Sequence, residues 1–135
     1  MSATLKPGLT TTRRIVVDKD RTISFMGDEG RVYATPELVR DIEITCRDFL
    51  LGLIEAGKDS VGTRVAIDHL AATPLGMAAD ITITIAAVEG PKVTFEVSAR
   101  DPLDAICKGS HERFVVDVEK AQKRLKAKLE KAAAL

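Results

Sequence analysis

The residue most able to do chemistry in this chain is a carboxylate out of place. Glu43 lies in the stretch TPELVRDIEITCRDFLLGLIEAG, Thr35 to Gly57. Here Leu38, Ile42, Cys46 (or Thr45), Phe49 and Leu53 recur at helical spacing and mark a core-facing stripe. Glu43 borders that stripe, with Val39, Cys46 and Leu50 one turn away. A charge in such surroundings is costly unless it is paired, hydrogen-bonded or neutralised, and a carboxyl group so placed can hold or move a proton. The bland alternative is a boundary glutamate leaning into solvent with Arg40 or Arg47 as its partner.

The elements around Glu43 follow from pattern and punctuation. Thr35-Pro36-Glu37 predicts a helix start: Thr35 as N-cap, proline at the first helical position, an acid in the first turn. The helix is expected to run to about Ala56, where Gly57 stops it. Before it come a first strand over Thr11–Val17, a turn-rich connection over Arg21–Gly30 and a short extended entry over Arg31–Ala34. After it, a second strand is expected over Thr63–Ala72, followed by the turn Thr73-Pro74-Leu75-Gly76. Met77–Val88 alternates, with Ile81, Ile83 and Ile85 on one face and Asp80, Thr82 and Thr84 on the other. Glu89-Gly90-Pro91 reads as a hairpin turn into Lys92–Arg100, which sends Val93, Phe95 and Val97 to one face. Asp101-Pro102 turns the chain into a last strand, Ala105–Asp117. From Val118 a second helix follows, with an apolar stripe at Val118, Ala121, Leu125, Leu129 and Ala132. One apolar helix with three consecutive antiparallel strands behind it is an α+β pattern, and the helix is apolar enough that the sheet must wrap it.

Composition narrows the classes. The 135 residues suffice for one domain with a proper core. Twenty basic and twenty acidic residues cancel, so bulk attraction to nucleic acid or to an anionic membrane is not indicated. Aromatics are only 4% and tryptophan is absent, which supplies base-stacking platforms poorly. Cys46 and Cys107 form no CxxC pair, and MSATLKPGLTTTRR has no apolar leader segment. The chain therefore reads as a cytoplasmic protein with reduced thiols. No run approaches membrane-spanning length, and neither a metal nor a cofactor is expected.

The order of strand, apolar helix and meander resembles the hotdog fold. The segments VGTRVAIDHLAATPLGMAADITITIAAVEGPKVTFEVSARD and GSHERFVVDVEKAQKRL are similar to the fluoroacetyl-CoA-thioesterase-like group of the hotdog thioesterase superfamily. Matching features are Gly62-Thr63 leading to His69, the Thr73-Pro74-Leu75-Gly76 turn, and Gly109-Ser110-His111-Glu112-Arg113. The resemblance spans about Ile15 to Leu125 and is weakest before the helix. It implies one hotdog domain over residues 1–135, with an antiparallel sheet around a long central helix and an additional C-terminal helix. It also implies a homodimer, possibly a tetramer, with the strand carrying His69 near the partner chain.

The resemblance further implies an acyl-CoA thioesterase that uses Thr35, Glu43 and His69. Those positions match the family's hydroxyl at the helix entry, its glutamate eight residues later and its histidine on the next strand. Thioester hydrolysis needs an activated nucleophile and donors for the developing oxyanion. Thr35 offers a hydroxyl beside the unpaired N–H groups of a helix start, or is a plain N-cap. Glu43 is implied as general base or as the nucleophile itself. His69, with a reference pKa near 6.5, is implied as the group that orients or exchanges protons with them; otherwise it is a half-buried strand histidine bonded to backbone. Gly62 lets a backbone amide approach the acyl group, or is an ordinary turn glycine after Asp59-Ser60-Val61. His111 and Arg113 share one face of the last strand and either touch coenzyme A or bond across the sheet. Lys120, Lys123, Arg124, Lys126, Lys128 and Lys131 form a solvated basic face, with attraction of coenzyme A phosphates as the other reading. The chain departs from fluoroacetyl-specific members before the helix. There ISFMGDEGRVYAT replaces a longer, phenylalanine-bearing cover, so fluoroacetyl specificity does not carry over. The expected substrate is a short or medium acyl-CoA. The alternative function is a non-catalytic acyl-CoA or small-ligand binding module, and a hotdog dehydratase fits the placement of acid and histidine less well.

Overall fold

The computed structural model describes residues 5–135. Its strands are β1 (Thr10–Val16), β2 (Thr22–Ile23), β3 (Val32–Tyr33), β4 (Lys58–His69), β5 (Ala78–Glu89), β6 (Lys92–Arg100) and β7 (Ala105–Asp117). Helix α1 spans Thr35–Leu51 and helix α2 Val118–Ala133. Five strands form one antiparallel sheet in the order β1-β5-β6-β7-β4, and β2 pairs with β3 in a small hairpin of its own.

The sheet curls around α1, as its composition requires. Leu38, Ile42, Cys46 and Leu50 are fully buried on the helix. They pack into a core with Ile81, Ile83 and Ile85 of β5, Val93, Phe95 and Val97 of β6 and Ile106 of β7. The alternation of β5 and β6 thus has the expected inward face. The outer face carries Thr10 hydrogen-bonded to Thr84 at 3.0 Å and Thr12 to Thr82 at 2.8 Å.

Several boundaries differ from expectation for physical reasons. Helix α1 begins one residue differently: Ala34 is the N-cap, in extended conformation, Thr35 is the first helical residue and its hydroxyl caps nothing. The helix ends at Leu51, with Gly52 at the C-cap, not at Ala56. Glycine weakens a helix by roughly 1 kcal/mol relative to alanine. The apolar residues beyond it pack as a turn, where Ile54 is buried. Gly57, at φ +83°, redirects the chain into β4. Strand β4 starts at Lys58 because Lys58–Gly62 pair with Arg113–Asp117 of β7, so Asp59-Ser60-Val61 is strand and not turn. It ends at His69, short of Ala72. Helix α2 begins at Val118, where Asp117 caps it by accepting from the Lys120 N–H. Among the described residues its stripe is half-buried only at Val118 and Ala121, while Leu125 and Leu129 are 62% and 71% exposed. Among the described residues, no helix is long and apolar enough to cross a membrane.

Candidate active site

Two clusters of polar side chains lie along α1, one at its start and one in its middle.

At the start, Thr35 and His69 meet. The Thr35 hydroxyl and His69 Nδ1 lie 2.7 Å apart, close enough to share a proton. With Nδ1 bare, the hydroxyl donates to it and Nε2 carries the ring proton. Nε2 is buried and has no hydrogen-bond partner among the described residues. Burial pulls the His69 pKa below its ordinary 6.5. Tyr33 stands edge-on to the imidazole, with ring centres 6.5 Å apart. Its phenol donates to Asp41, which also takes Arg21 in a two-pronged pair at 2.9 and 3.1 Å. This lock ties the β2–β3 hairpin to α1 and so fixes the wall behind His69. A groove of about 330 Å³ opens here, lined by Ile23, Val32, Tyr33, Thr35, His69 and Leu70 among others. Of the two aromatics in the pre-helix segment, Tyr33 is buried while Phe25 is 89% exposed.

The second cluster surrounds Glu43. Eight residues along a helix amount to about 12 Å, so Glu43 does not reach Thr35 within its own chain. Its partner is neither Arg40 nor Arg47, which pairs with Asp59 at 2.7 Å, but Arg113, at 3.5 Å. The Glu43 side chain keeps 42% of its surface exposed, whereas that of Arg113 keeps 5%. Arg113 reaches across from β7 to donate to Ser60 Oγ at 2.7 Å and to the Ser60 carbonyl at 2.8 Å. His111 is wholly buried beside it. Neither His111 nor Arg113 faces solvent, and both bond across the sheet, His111 to the Arg64 carbonyl and Arg113 to Ser60.

Gly62 belongs to this cluster as a strand residue. A Cβ there would run into the Glu43 carboxylate and come within 3.1 Å of the His111 ring. Its smallness is therefore what lets the carboxylate lie against the β4 backbone. Gly62 and His69 are seven residues apart, and an uninterrupted strand would turn them to opposite faces. The register shift between Gly62 and Arg64 restores the parity, and both face α1.

Both thiols are inert. Burial pushes Cys46 up to about 12 and Cys107 up to about 11, so neither is a nucleophile at neutral pH.

The two histidines of the chain give a pH prediction. Burial lowers both, His111 against the opposing pull of its bond to the Arg64 carbonyl. The unfolded chain takes up these protons near 6.5 and the folded chain only at lower pH. Stability is therefore complete above that value and lost as pH falls below it. Shifted carboxylates such as Asp59 beside Arg47 and Asp80 beside Arg14 move down from 3.8, so their contribution fades only in stronger acid. The melting temperature is expected to fall as the pH drops below about 6.5, the ordinary histidine value. Melting curves that coincide from pH 7 to pH 5 would contradict this.

The fold and the comparisons with known proteins place the chain among hotdog-fold thioesterases. A crystal structure from Thermus thermophilus described as a thioesterase superfamily member is 26% identical, covers 98% of this chain and 99% of its own, and superposes with a TM-score of 0.89. The family model for fluoroacetyl-CoA-specific thioesterase matches residues 17–119. The fluoroacetyl-CoA thioesterase of Streptantibioticus cattleyicolor is 31% identical over 131 residues, 92% of this chain and 94% of that enzyme. A mutant of the fluoroacetyl-CoA-specific thioesterase, solved in complex with fluoroacetate and CoA, is 32% identical with a TM-score of 0.79, covering 86% of this chain and 98% of that one. The chain belongs to the fluoroacetyl-CoA-specific thioesterase family.

Proposed function

We propose that residues 1–135 act as a single hotdog thioesterase-like domain that hydrolyses a short or medium acyl-CoA thioester with Thr35, Glu43 and His69. The observation that carries this is the 2.7 Å contact of Thr35 with His69 at a groove whose size suits a small acyl group. The pre-helix loop leaves Phe25 in solvent instead of over the groove, so fluoroacetyl specificity is not part of the proposal.

The distance between Thr35 and Glu43 makes the site a shared one. Strand β4 is a sheet edge, with one flank unpaired among the described residues, and such edges invite pairing. A second copy added antiparallel, with the two-fold axis through Ala66 and the extra residue of the Gly62/Arg64 bulge taken into account, sets Gly62 across from His69 of the partner subunit. Glu43, which lies over Gly62, then faces the groove of the other protomer. The buried, partnerless Nε2 supports the arrangement, since a group from a second chain can satisfy it.

In that setting Glu43 takes a proton from water as general base, or adds to the acyl carbon and is released by water. The new C–O bond forms as the C–S bond breaks, and the proton passes to the departing CoA thiolate. The helix start and the Gly62 amide face the oxyanion.

A panel of acyl-CoA thioesters tests the reading. Turnover of at least one short or medium member is expected, from a protein whose light-scattering mass is that of a homodimer or a tetramer. Binding of CoA esters without turnover would instead make the chain a ligand-binding module, and a monomeric mass would remove the shared site.

A further inference from the structure

Arg113 is held on more sides than an ion pair requires, and hydrogen-bond accounting says what holds it. A guanidinium has five N–H donors and no acceptor. Its Nη1 lies 3.1 Å from His111 Nε2, so that nitrogen must be bare. The ring proton is then on Nδ1, which donates to the Arg64 carbonyl at 2.8 Å. His111 is thus a neutral imidazole in a fixed tautomer, fully buried and stacked on Phe95 with ring centres 6.5 Å apart. The charged groups around it are Arg113 on its own strand, Glu43 from α1 and the neighbouring Glu112. Of these, Arg113 makes the direct polar contact.

We propose that His111 is a positioning residue: its bare Nε2, together with Ser60, pins the Arg113 guanidinium so that Nη1 orients the Glu43 carboxylate against Gly62. The proposal rests on the reading of Glu43 as part of the reacting machinery. A generic strand histidine would satisfy its backbone bond and nothing else. Here both ring nitrogens are committed, one to the strand edge and one to the cation. Protonating Nε2 would turn an acceptor into a donor facing a donor and set two positive charges side by side. The arrangement therefore needs a side chain that accepts at the Nε2 position and donates at the Nδ1 position.

Two amide substitutions separate those halves. Gln in place of His111 carries its amide to the Nε2 position and can offer an oxygen to Arg113. Asn reaches only the Nδ1 position and keeps the bond to Arg64 while losing the hold on Arg113. His111→Asn is expected to lower kcat about 100-fold, the scale of a misplacement of roughly 1 Å, with little change in KM. His111→Gln should recover most of that loss. Ser60→Ala removes another acceptor of the same guanidinium without touching the histidine, and should lower kcat in the same sense. It keeps the test alive should a His111 variant melt early. Nitrogen-15 spectra of the wild type should show the Nδ1–H tautomer at neutral pH. An Nε2–H tautomer would overturn the proposal, as would equal kcat values for the Asn and Gln variants. Failure of the underlying reading looks different: the wild type itself then hydrolyses no acyl-CoA.

Discussion

Glu43→Gln should leave the fold intact and remove most of the turnover, by about 10²–10⁴-fold if the carboxylate serves as a general base. The two side chains have nearly the same shape, and Gly62 leaves room for either. The fold loses little, because the Glu43 side chain is 42% exposed and its contact with Arg113 is long, at 3.5 Å. Arg113 keeps its bonds to Ser60 and His111 in the variant. What the amide cannot do is accept a proton from water or attack an acyl carbon. A variant that melts like wild type and turns over like wild type would return Glu43 to a boundary residue.

Thr35 and His69 should lose activity as a unit. Thr35→Ala and His69→Ala are each expected to lower turnover by one to three orders of magnitude, roughly the scale of general acid–base groups. The double variant should be little worse than the poorer single, because each change breaks the same 2.7 Å contact. Thr35→Ser should retain much of the activity, since it keeps the hydroxyl. The test is clean because Ala34, not Thr35, is the N-cap, so the alanine variant does not uncap the helix. Strictly additive losses would show that the two residues act independently.

The comparison of sequence with structure turns on local rules that tertiary contacts overrule. Periodicity located α1, β5 and β6, because each buries one face and its apolar residues repeat at the element's own period; β7 was placed by the turn at Asp101-Pro102 before it. It overran the end of α1, since Leu53 and Ile54 continue an apolar pattern that Gly52 has already broken as a helix. It started the second strand only at Thr63, because the pairing of Lys58–Gly62 comes from β7, more than fifty residues away. Thr35 reads as an N-cap from its neighbours alone, but His69 claims its hydroxyl. The same distance hides Arg113: the local pattern offers Arg40 and Arg47 to Glu43, while the observed partner sits seventy residues on. Its signal was the shared parity of His111 and Arg113, which says that both lie on one strand face but not which face that is or what they meet. The stripe on α2 has helical spacing without burial, so amphipathic spacing there reports a helix and not a core contact.

The most direct test of the shared site is subunit complementation. Glu43→Gln protein retains Thr35 and His69, and Thr35→Ala protein retains Glu43. If each site draws the glutamate from one chain and the threonine and histidine from the other, a mixed dimer carries one intact site. Two nearly inactive preparations, unfolded together and refolded at equal ratio, should then regain roughly a quarter of wild-type activity, since half of randomly paired dimers are mixed and each has one working site of two. A mixture no more active than its components would show that the residues act within one chain or not at all, and would contradict the account.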